Sequence, residues 1–202
     1  MRILILAEGR TGGTTLMEYL SNELSEHTSI TEPYTNQTTG WLKHEEWLNE
    51  YENFIVKEIY GGDNYDLPKL VEKCDKVFCV YRKNWYEQIR SILYTEKVGF
   101  IHDYNITDVN KLVTDEMIIY KSKGFIKVKE RFQDFIRYNN YLSVSYEDLY
   151  YGNGINKIKN YLGIQTQNIF PPVQRYLKDS EGNPYKPQNN NLELIDENSI
   201  NK

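Results

Sequence analysis

The sequence has little of what disulfide-rich, metal-binding and membrane proteins depend on. Its 202 residues include two cysteines, Cys74 and Cys79, and three histidines. Two cysteines make a weak disulfide framework, so we expect reduced core side chains, and the sequence shows no cluster of metal ligands. The apolar run 3–7 is too short for a signal-peptide core, and no stretch approaches the roughly 20 apolar residues that span a membrane. We therefore expect a cytoplasmic protein without a membrane span.

An excess of positive charge is also absent. The net charge is −5, which argues against a surface that binds nucleic acid. An anionic ligand would therefore need a local basic pocket. Length and a hydrophobic content of 40% suit one α/β domain. We expect this domain over residues 1–188, followed by a flexible polar tail over 189–202.

The first twenty residues predict a strand, a glycine-rich turn and a helix. The apolar run 3–7 is followed by a segment with three glycines and Arg10, and apolar residues then recur at helical spacing from Thr14. Glycines let backbone N–H groups turn inward, and a helix N-terminus adds a positive dipole end. With Arg10 and the hydroxyls of Thr14 and Thr15, this pattern indicates an anion site, most often for phosphate. An ordinary glycine-rich strand–helix turn is the alternative.

A second strand, arginine and helix follow at residues 76–93. The apolar run 76–81 predicts a central parallel strand and ends at Arg82. Asn84 is a candidate N-cap for the next helix, which carries Ser91 about two turns in. By the same logic as the first loop, this segment predicts a second anion site.

Two further charged residues are expected at the carboxyl edge of the sheet. Glu32 follows the extended segment 28–31, and Lys57 ends the predicted strand 53–57. In open α/β sheets this edge faces the ligand crevice. The alternatives are a solvated turn carboxylate for Glu32 and, for Lys57, a pairing with Glu58 or simple exposure.

The remaining segments complete the expectation of an α/β fold. The sequence predicts a last strand over 142–146 and a mostly helical stretch over 103–140 that is interrupted near Gly124. Shorter helices are predicted over about 14–26, 41–51, 67–73 and 155–162, the last stopped by Gly163. The fold class is thus a single α/β domain with a central, mostly parallel sheet flanked by helices.

Taken together and in this order, three segments resemble a known family. They are the Arg-bearing Gly-Thr-Thr loop, the segment VFCVYRKNWYEQIRSIL and the segment VSYEDL. The order is similar to that of the sulfotransferases that use 3′-phosphoadenosine 5′-phosphosulfate (PAPS), over about residues 2–163. The likeness is closer to bacterial glycolipid-type and Golgi-type members than to cytosolic animal enzymes. It implies a P-loop-like, nucleotide-binding sulfotransferase fold, with adenosine 3′,5′-bisphosphate as the product nucleotide.

The resemblance also implies roles for individual residues. The residues that would bind PAPS are Arg10, Thr11, Gly12, Gly13, Thr14, Thr15, Arg82, Ser91 and Tyr146. Of these, the loop and Arg10 would hold the 5′-phosphosulfate, Arg82 and Ser91 the 3′-phosphate, and Tyr146 would lie near the adenine. Lys57 would lie by the transferring sulfuryl group, and Glu32 would be the general base, so that Glu32, Lys57 and Arg10 are the catalytic residues.

The sequence departs from the family pattern in three places. The loop has one more glycine than the usual R-S-G-T-T, and Ile59 stands where cytosolic members have a catalytic histidine. The basic C-terminal loop of those members has no clear match, although Lys178 or Lys186 could substitute. With no histidine at position 59, Glu58 is the reserve base and His102 a more distant one.

Two other functions stay open at this stage. A small-molecule kinase on a related fold is one, although the loop lacks the lysine of G-x-x-x-x-G-K-[S/T]. A nucleotide-binding protein that keeps the fold but has lost its chemistry is the other. For the enzyme, we expect a small-molecule, sugar or lipid acceptor and no metal. The sequence decides neither the acceptor nor the oligomeric state.

Overall fold

The described residues form a five-stranded parallel sheet at the centre of the fold. The computed structural model describes residues 1–33, 47–61, 67–98, 111–165 and 168–170. Within these ranges the strands lie in the order β2-β3-β1-β4-β5, and all neighbours are parallel. They are β1 (Arg2–Ala7), β2 (Thr28–Thr31), β3 (Phe54–Ile59), β4 (Lys76–Tyr81) and β5 (Leu142–Ser145). The expected central parallel sheet flanked by helices is confirmed.

Helices cover both faces of this sheet. Those in the described ranges are α1 (Gly13–Glu23), α2 (Trp47–Glu50), α3 (Leu67–Glu72), α4 (Trp85–Val98), α5 (Asp115–Asn139), α6 (Tyr146–Tyr151) and α7 (Gly154–Leu162). Because side chains alternate along a strand, β1 serves both faces. Ile3 and Ile5 pack in a core with α1, α6 and α7, whereas Leu4 and Leu6 pack in a second core with α3 and α5. A third cluster joins α4 to α5.

Two helix ends that the sequence predicted, at Asn84 and Gly163, are confirmed. The Asn84 Oδ1 accepts a hydrogen bond from the Glu87 N–H at 3.0 Å, so Asn84 caps α4 as expected. Gly163 adopts a left-handed φ of 72° and ends α7. By contrast, α1 ends at Glu23, three residues earlier than expected, because the chain must turn there to enter β2 at Thr28.

The expected interruption near Gly124 is wrong. Helix α5 runs through this position for 25 residues without a break. A single glycine costs a helix about 1 kcal/mol relative to alanine. Burial of Ile118 and Phe132, each at most 1% exposed, outweighs that cost because each large apolar side chain contributes about 1.5–3 kcal/mol.

The structure describes both cysteines but not every residue that the sequence analysis singled out. Cys79 is buried and Cys74 half-buried, both as free thiols, and burial raises the pKa of each to about 12. No helix in the described ranges is long and apolar enough to cross a membrane. The predicted helical residues 41–46 and 103–110, the candidates His102, Lys178 and Lys186, and the tail 189–202 lie outside those ranges.

Candidate functional site

The two predicted anion sites meet at one place in the fold. Strand β1 lies beside β4, and the loops that follow these strands carry Arg10 and Arg82. From β1 the chain continues to β2 on one side of the sheet, and from β4 to β5 on the other. The carboxyl ends of two such strands form the crevice in which open α/β sheets bind their ligands. The sheet topology therefore brings both loops to the edge where a ligand would bind.

The loop after β1 presents a helix N-terminus to this crevice. Arg10 and Gly12 both adopt left-handed φ angles, of 63° and 77°. Helix α1 begins directly after Gly12, which supplies no side-chain cap. The Leu16 N–H donates to the Gly12 carbonyl at 3.0 Å, so the N–H groups of residues 13–15 precede the first helical bond. This end of α1 has the uncapped donors and positive dipole of an anion site, and Thr14 is exposed beside them.

The two adjacent glycines are required by close packing around the loop. A Cβ atom on Gly12 would lie 2.9 Å from the hydroxyl oxygen of Tyr150 on α6. One on Gly13 would lie 3.1 Å from the Ala7 Cβ and 3.3 Å from the Lys57 Cε. All three distances are shorter than ordinary van der Waals contact. Close packing thus explains the extra glycine of this loop. The Lys57 side chain packs behind the start of α1.

Two loop side chains make hydrogen bonds within the protein. Thr11 is 1% exposed, and its hydroxyl donates to the Glu8 carbonyl at 2.8 Å. The Arg10 Nε donates to the Ser91 Oγ on α4 at 3.1 Å. The structure therefore brings together Arg10 and Ser91, two residues that the resemblance assigned to different phosphates of one nucleotide.

Arg82 lies over Tyr146 at the other side of the crevice. The guanidinium carbon is 4.5 Å from the ring centroid, a cation–π distance. The Arg82 Nε is buried and has no hydrogen-bond partner among the residues that the structure describes. Burial raises the pKa of Tyr146 well above its usual range, although the Arg82 charge opposes this shift, so the phenol stays protonated. A buried guanidinium N–H without an acceptor carries a desolvation cost that a bound anion would remove.

Glu32 and Lys57 form an ion pair next to the loop. The Lys57 Nζ donates to the Glu32 Oε1, and the Glu32 N–H donates to the Lys57 carbonyl at 2.7 Å. Lys57 is 5% exposed and lies within β3, which continues for two more residues to Ile59, rather than at the end of the strand. Glu32 adopts a left-handed φ of 49°, an uncommon conformation for a glutamate. The side chain that pairs with Lys57 is thus Glu32, which answers the question that the sequence left open.

Glu58, the reserve base, lies on the other face of the sheet. Neighbouring residues of a strand point to opposite faces, and Ile55, two residues before Lys57, packs in the core with α1. Val56, two residues before Glu58, packs in the core with α5. The Glu58 carboxylate is fully buried and accepts from the Ile59 N–H at 2.9 Å. This placement favours Glu32 over Glu58 as the carboxylate beside the loop.

A buried polar network behind the crevice was missed by the sequence analysis. Glu8 is 5% exposed, and the Lys129 Nζ on α5 lies 2.9 Å from its Oε2. The same ammonium donates to the Arg82 carbonyl at 2.6 Å. The Gln88 Nε2 on α4 donates to the Gly9 carbonyl at 2.8 Å and to the Glu8 Oε2 at 3.2 Å. This network ties the loop after β1 to the loop after β4.

One sequence signal could have led to this network. A carboxylate directly after a buried strand needs a partner, and Glu8 follows five buried residues of β1. Its partner, Lys129, is 121 positions away on a helix with many lysines, so spacing alone could not have identified it.

Comparisons with known proteins add no family assignment. Neither the protein-family models nor the curated protein sequences include a match to this chain. Within the described ranges, no group of three or more histidine, cysteine, aspartate or glutamate residues is arranged to hold a metal ion.

Proposed function

We propose that this chain is a sulfotransferase that moves a sulfuryl group from PAPS to a hydroxyl or amine of a small-molecule, sugar or lipid acceptor. The observation that carries the proposal is the meeting of two arginines at one crevice. Arg10 contacts Ser91 beside a helix N-terminus, and within the described part of the chain this N-terminus has no side-chain cap and the buried Arg82 Nε has no hydrogen-bond partner. A ligand with two phosphate groups on one nucleoside would use both positions.

The residues of the crevice fit such a nucleotide. The N–H groups at the start of α1 and the Arg10 guanidinium would hold the 5′-phosphosulfate. Arg82 and Ser91 would hold the 3′-phosphate. Tyr146, already in contact with Arg82, would lie near the adenine. The buried Arg82 Nε, which has no hydrogen-bond partner among the described residues, supports this placement of the 3′-phosphate.

The chain's own residues would then promote the transfer. PAPS supplies an activated sulfuryl group, whose bond to the 5′-phosphate oxygen breaks as the bond to the acceptor oxygen or nitrogen forms. Glu32 would take the proton that the acceptor loses. Lys57 and Arg10 would stabilise the negative charge that grows on the departing phosphate, as preorganised cations do in phosphoryl transfer. Positioning of the two reactants would supply much of the remaining rate.

Calorimetric titration tests nucleotide recognition directly. We expect adenosine 3′,5′-bisphosphate to bind in the low micromolar range without added metal, and AMP to bind at least about tenfold more weakly, which is about 1.4 kcal/mol. Absence of binding, or a preference for Mg-ADP, would refute the proposed cofactor and favour a kinase or an inert fold. If the bisphosphate binds but no acceptor in a broad panel is sulfated, the protein binds nucleotide without chemistry.

Glu32→Gln tests the assignment of the base. Glutamine keeps the shape of the side chain and an oxygen for the Lys57 ammonium but cannot accept the proton at neutral pH. We expect sulfuryl transfer, measured with labelled PAPS, to fall by about 10²–10⁴-fold, with bisphosphate affinity near that of the wild type. Glu26→Gln, at an exposed position after α1, serves as the matched control. Equal losses of transfer and of nucleotide binding in Glu32→Gln would remove Glu32 as the base.

A further inference from the structure

The buried Glu8–Lys129 pair occupies an unusual position for a structural ion pair. Lys129 has a side chain only 11% exposed, and its ammonium contacts both the Glu8 carboxylate after β1 and the Arg82 carbonyl after β4. The Arg82 N–H donates to the Glu8 Oε2 at 3.2 Å, so the peptide groups on both sides of Arg82 are held by this pair. Any change in the pair therefore acts on the backbone of Arg82, the residue proposed to bind the 3′-phosphate.

The pair also reaches the other loop. Gln88 donates from one amide nitrogen to the Glu8 Oε2 and to the Gly9 carbonyl, which directly precedes Arg10. Its Oε1 lies 3.5 Å from the Lys129 Nζ. Glu8, Gln88 and Lys129 thus form one cluster, with side chains from the end of β1, from α4 and from α5. This cluster is hydrogen-bonded to the backbone beside Arg10 and to the backbone of Arg82.

Burial explains why such a cluster would hold a fixed geometry. A buried charge is costly unless it is paired and its hydrogen-bonding groups are satisfied, so the cluster has few alternative arrangements. Each of its members is fixed by at least two hydrogen bonds within the cluster. The Glu8 N–H also donates to the Val80 carbonyl at 3.1 Å, so the cluster adds to the pairing of β1 with β4 in fixing the Arg10 and Arg82 backbones from behind the crevice.

We propose that Lys129 is a positioning residue, which sets the spacing of the two phosphate-binding arginines and thereby the selectivity for a nucleotide with phosphates on both the 3′ and the 5′ oxygen. This inference rests on the proposed function. Lys129 does not touch the nucleotide; it acts through the Arg82 carbonyl and through Glu8.

The test compares nucleotide selectivity across variants of the pair. In Lys129→Met we expect the preference for adenosine 3′,5′-bisphosphate over AMP to fall from at least about tenfold to within about threefold, measured by calorimetry. Lys129→Arg keeps a cation that can reach both acceptors and should recover part of the preference. Lys127→Met, which removes an exposed lysine two positions earlier on α5, is the matched control and should leave the preference unchanged.

A double variant guards against simple loss of folding. Lys129→Met alone leaves the Glu8 carboxylate buried without its cation, whereas Glu8→Gln with Lys129→Met removes both charges and keeps an acceptor for the Arg82 N–H. We expect this double variant to fold and to exchange the Arg82 amide hydrogen faster than the wild type. It should still lose the preference for the bisphosphate over AMP, because the Arg82 carbonyl has lost its donor.

Failure of the inference and failure of the proposed function give different results. If the wild type binds the bisphosphate selectively and both Lys129→Met and the double variant do so equally well, Lys129 has no positioning role and the proposed function stands. If the wild type itself shows no preference for the bisphosphate, the proposed function falls and the inference falls with it.

Discussion

Replacement of Arg82 by alanine is the sharpest perturbation that the structure suggests. The Arg82 side chain stacks on Tyr146 at 4.5 Å, and its buried Nε has no acceptor in the described ranges. Its backbone N–H and carbonyl, in contrast, are bound to Glu8 and Lys129 and would survive the truncation. Arg82→Ala therefore removes the guanidinium from the crevice while the loop that carries it keeps its anchors.

The expected magnitudes differ between stability and binding. Loss of the cation–π contact costs about 0.5–2 kcal/mol, and removal of an unsatisfied buried donor returns about 1–3 kcal/mol. These terms oppose each other, so Arg82→Ala should lower the free energy of unfolding by no more than about 1 kcal/mol. A hydrogen bond from a cation to a phosphate is worth about 1.5–3 kcal/mol. Its loss should weaken adenosine 3′,5′-bisphosphate by roughly 10–150-fold.

The assay is paired calorimetric titration with the bisphosphate and with AMP, alongside urea unfolding. AMP lacks the 3′-phosphate, so we expect its affinity for Arg82→Ala to stay within about threefold of the wild type. Arg137→Ala, an exposed arginine at the end of α5 whose side chain is 81% exposed, is the control for loss of one positive charge. Equal weakening of both nucleotides would refute a 3′-phosphate contact, and destabilisation by more than about 3 kcal/mol would make Arg82 a structural residue.

Two further predictions concern the loop and the core. Gly12→Ala should destabilise the protein by about 1–3 kcal/mol in thermal unfolding, because of the left-handed φ and the contact with Tyr150. Gly9→Ala is the control, since a Cβ there meets no described atom within 4 Å, and it should cost less than half as much. A similar cost for both variants would contradict this account. Burial raises the pKa of Cys79 from 9.0 to about 12, so its contribution to stability is complete below about pH 9 and is lost as the pH rises toward 12. By about pH 10 the loss is about 1.4 kcal/mol. Cys79→Ala should therefore lose less stability than the wild type between about pH 8 and pH 10 in urea unfolding, and an equal loss would show that this thiol does not titrate differently on folding.

The elements around the crevice could be predicted because their signals are local. Residues 2–20 contain a buried strand, glycines for a turn and a helical apolar stripe, and each of these signals acts within a few positions. The same holds for Asn84, whose cap bond reaches three residues ahead. Parallel topology then brings the loops after β1 and β4 together, since parallel strands end at the same edge of a sheet.

The partners of the buried charges could not be predicted in the same way. The sequence offered Glu58 as a neighbour for Lys57, but strand alternation puts the two side chains on opposite faces and leaves Glu32, 25 positions earlier, as the partner. The Glu8–Lys129 pair depends on how α5 packs across the sheet, which no local pattern encodes. Gly124 shows the converse, because tertiary packing overrides a local preference.

The central position of β1 has a consequence for the order in which the protein can be built. Strand β1 is synthesised before its neighbours β3 and β4, which begin only at Phe54 and Lys76, and the cation that neutralises Glu8 is Lys129. More than half of the chain must therefore be synthesised before β3, β4 and Lys129, the partners of β1 and of the loop 8–15, are all present. Contacts of such long sequence separation slow folding and leave apolar segments exposed meanwhile. Residues 3–7 of β1, which are fully buried in the folded protein, therefore stay uncovered until these partners have been synthesised.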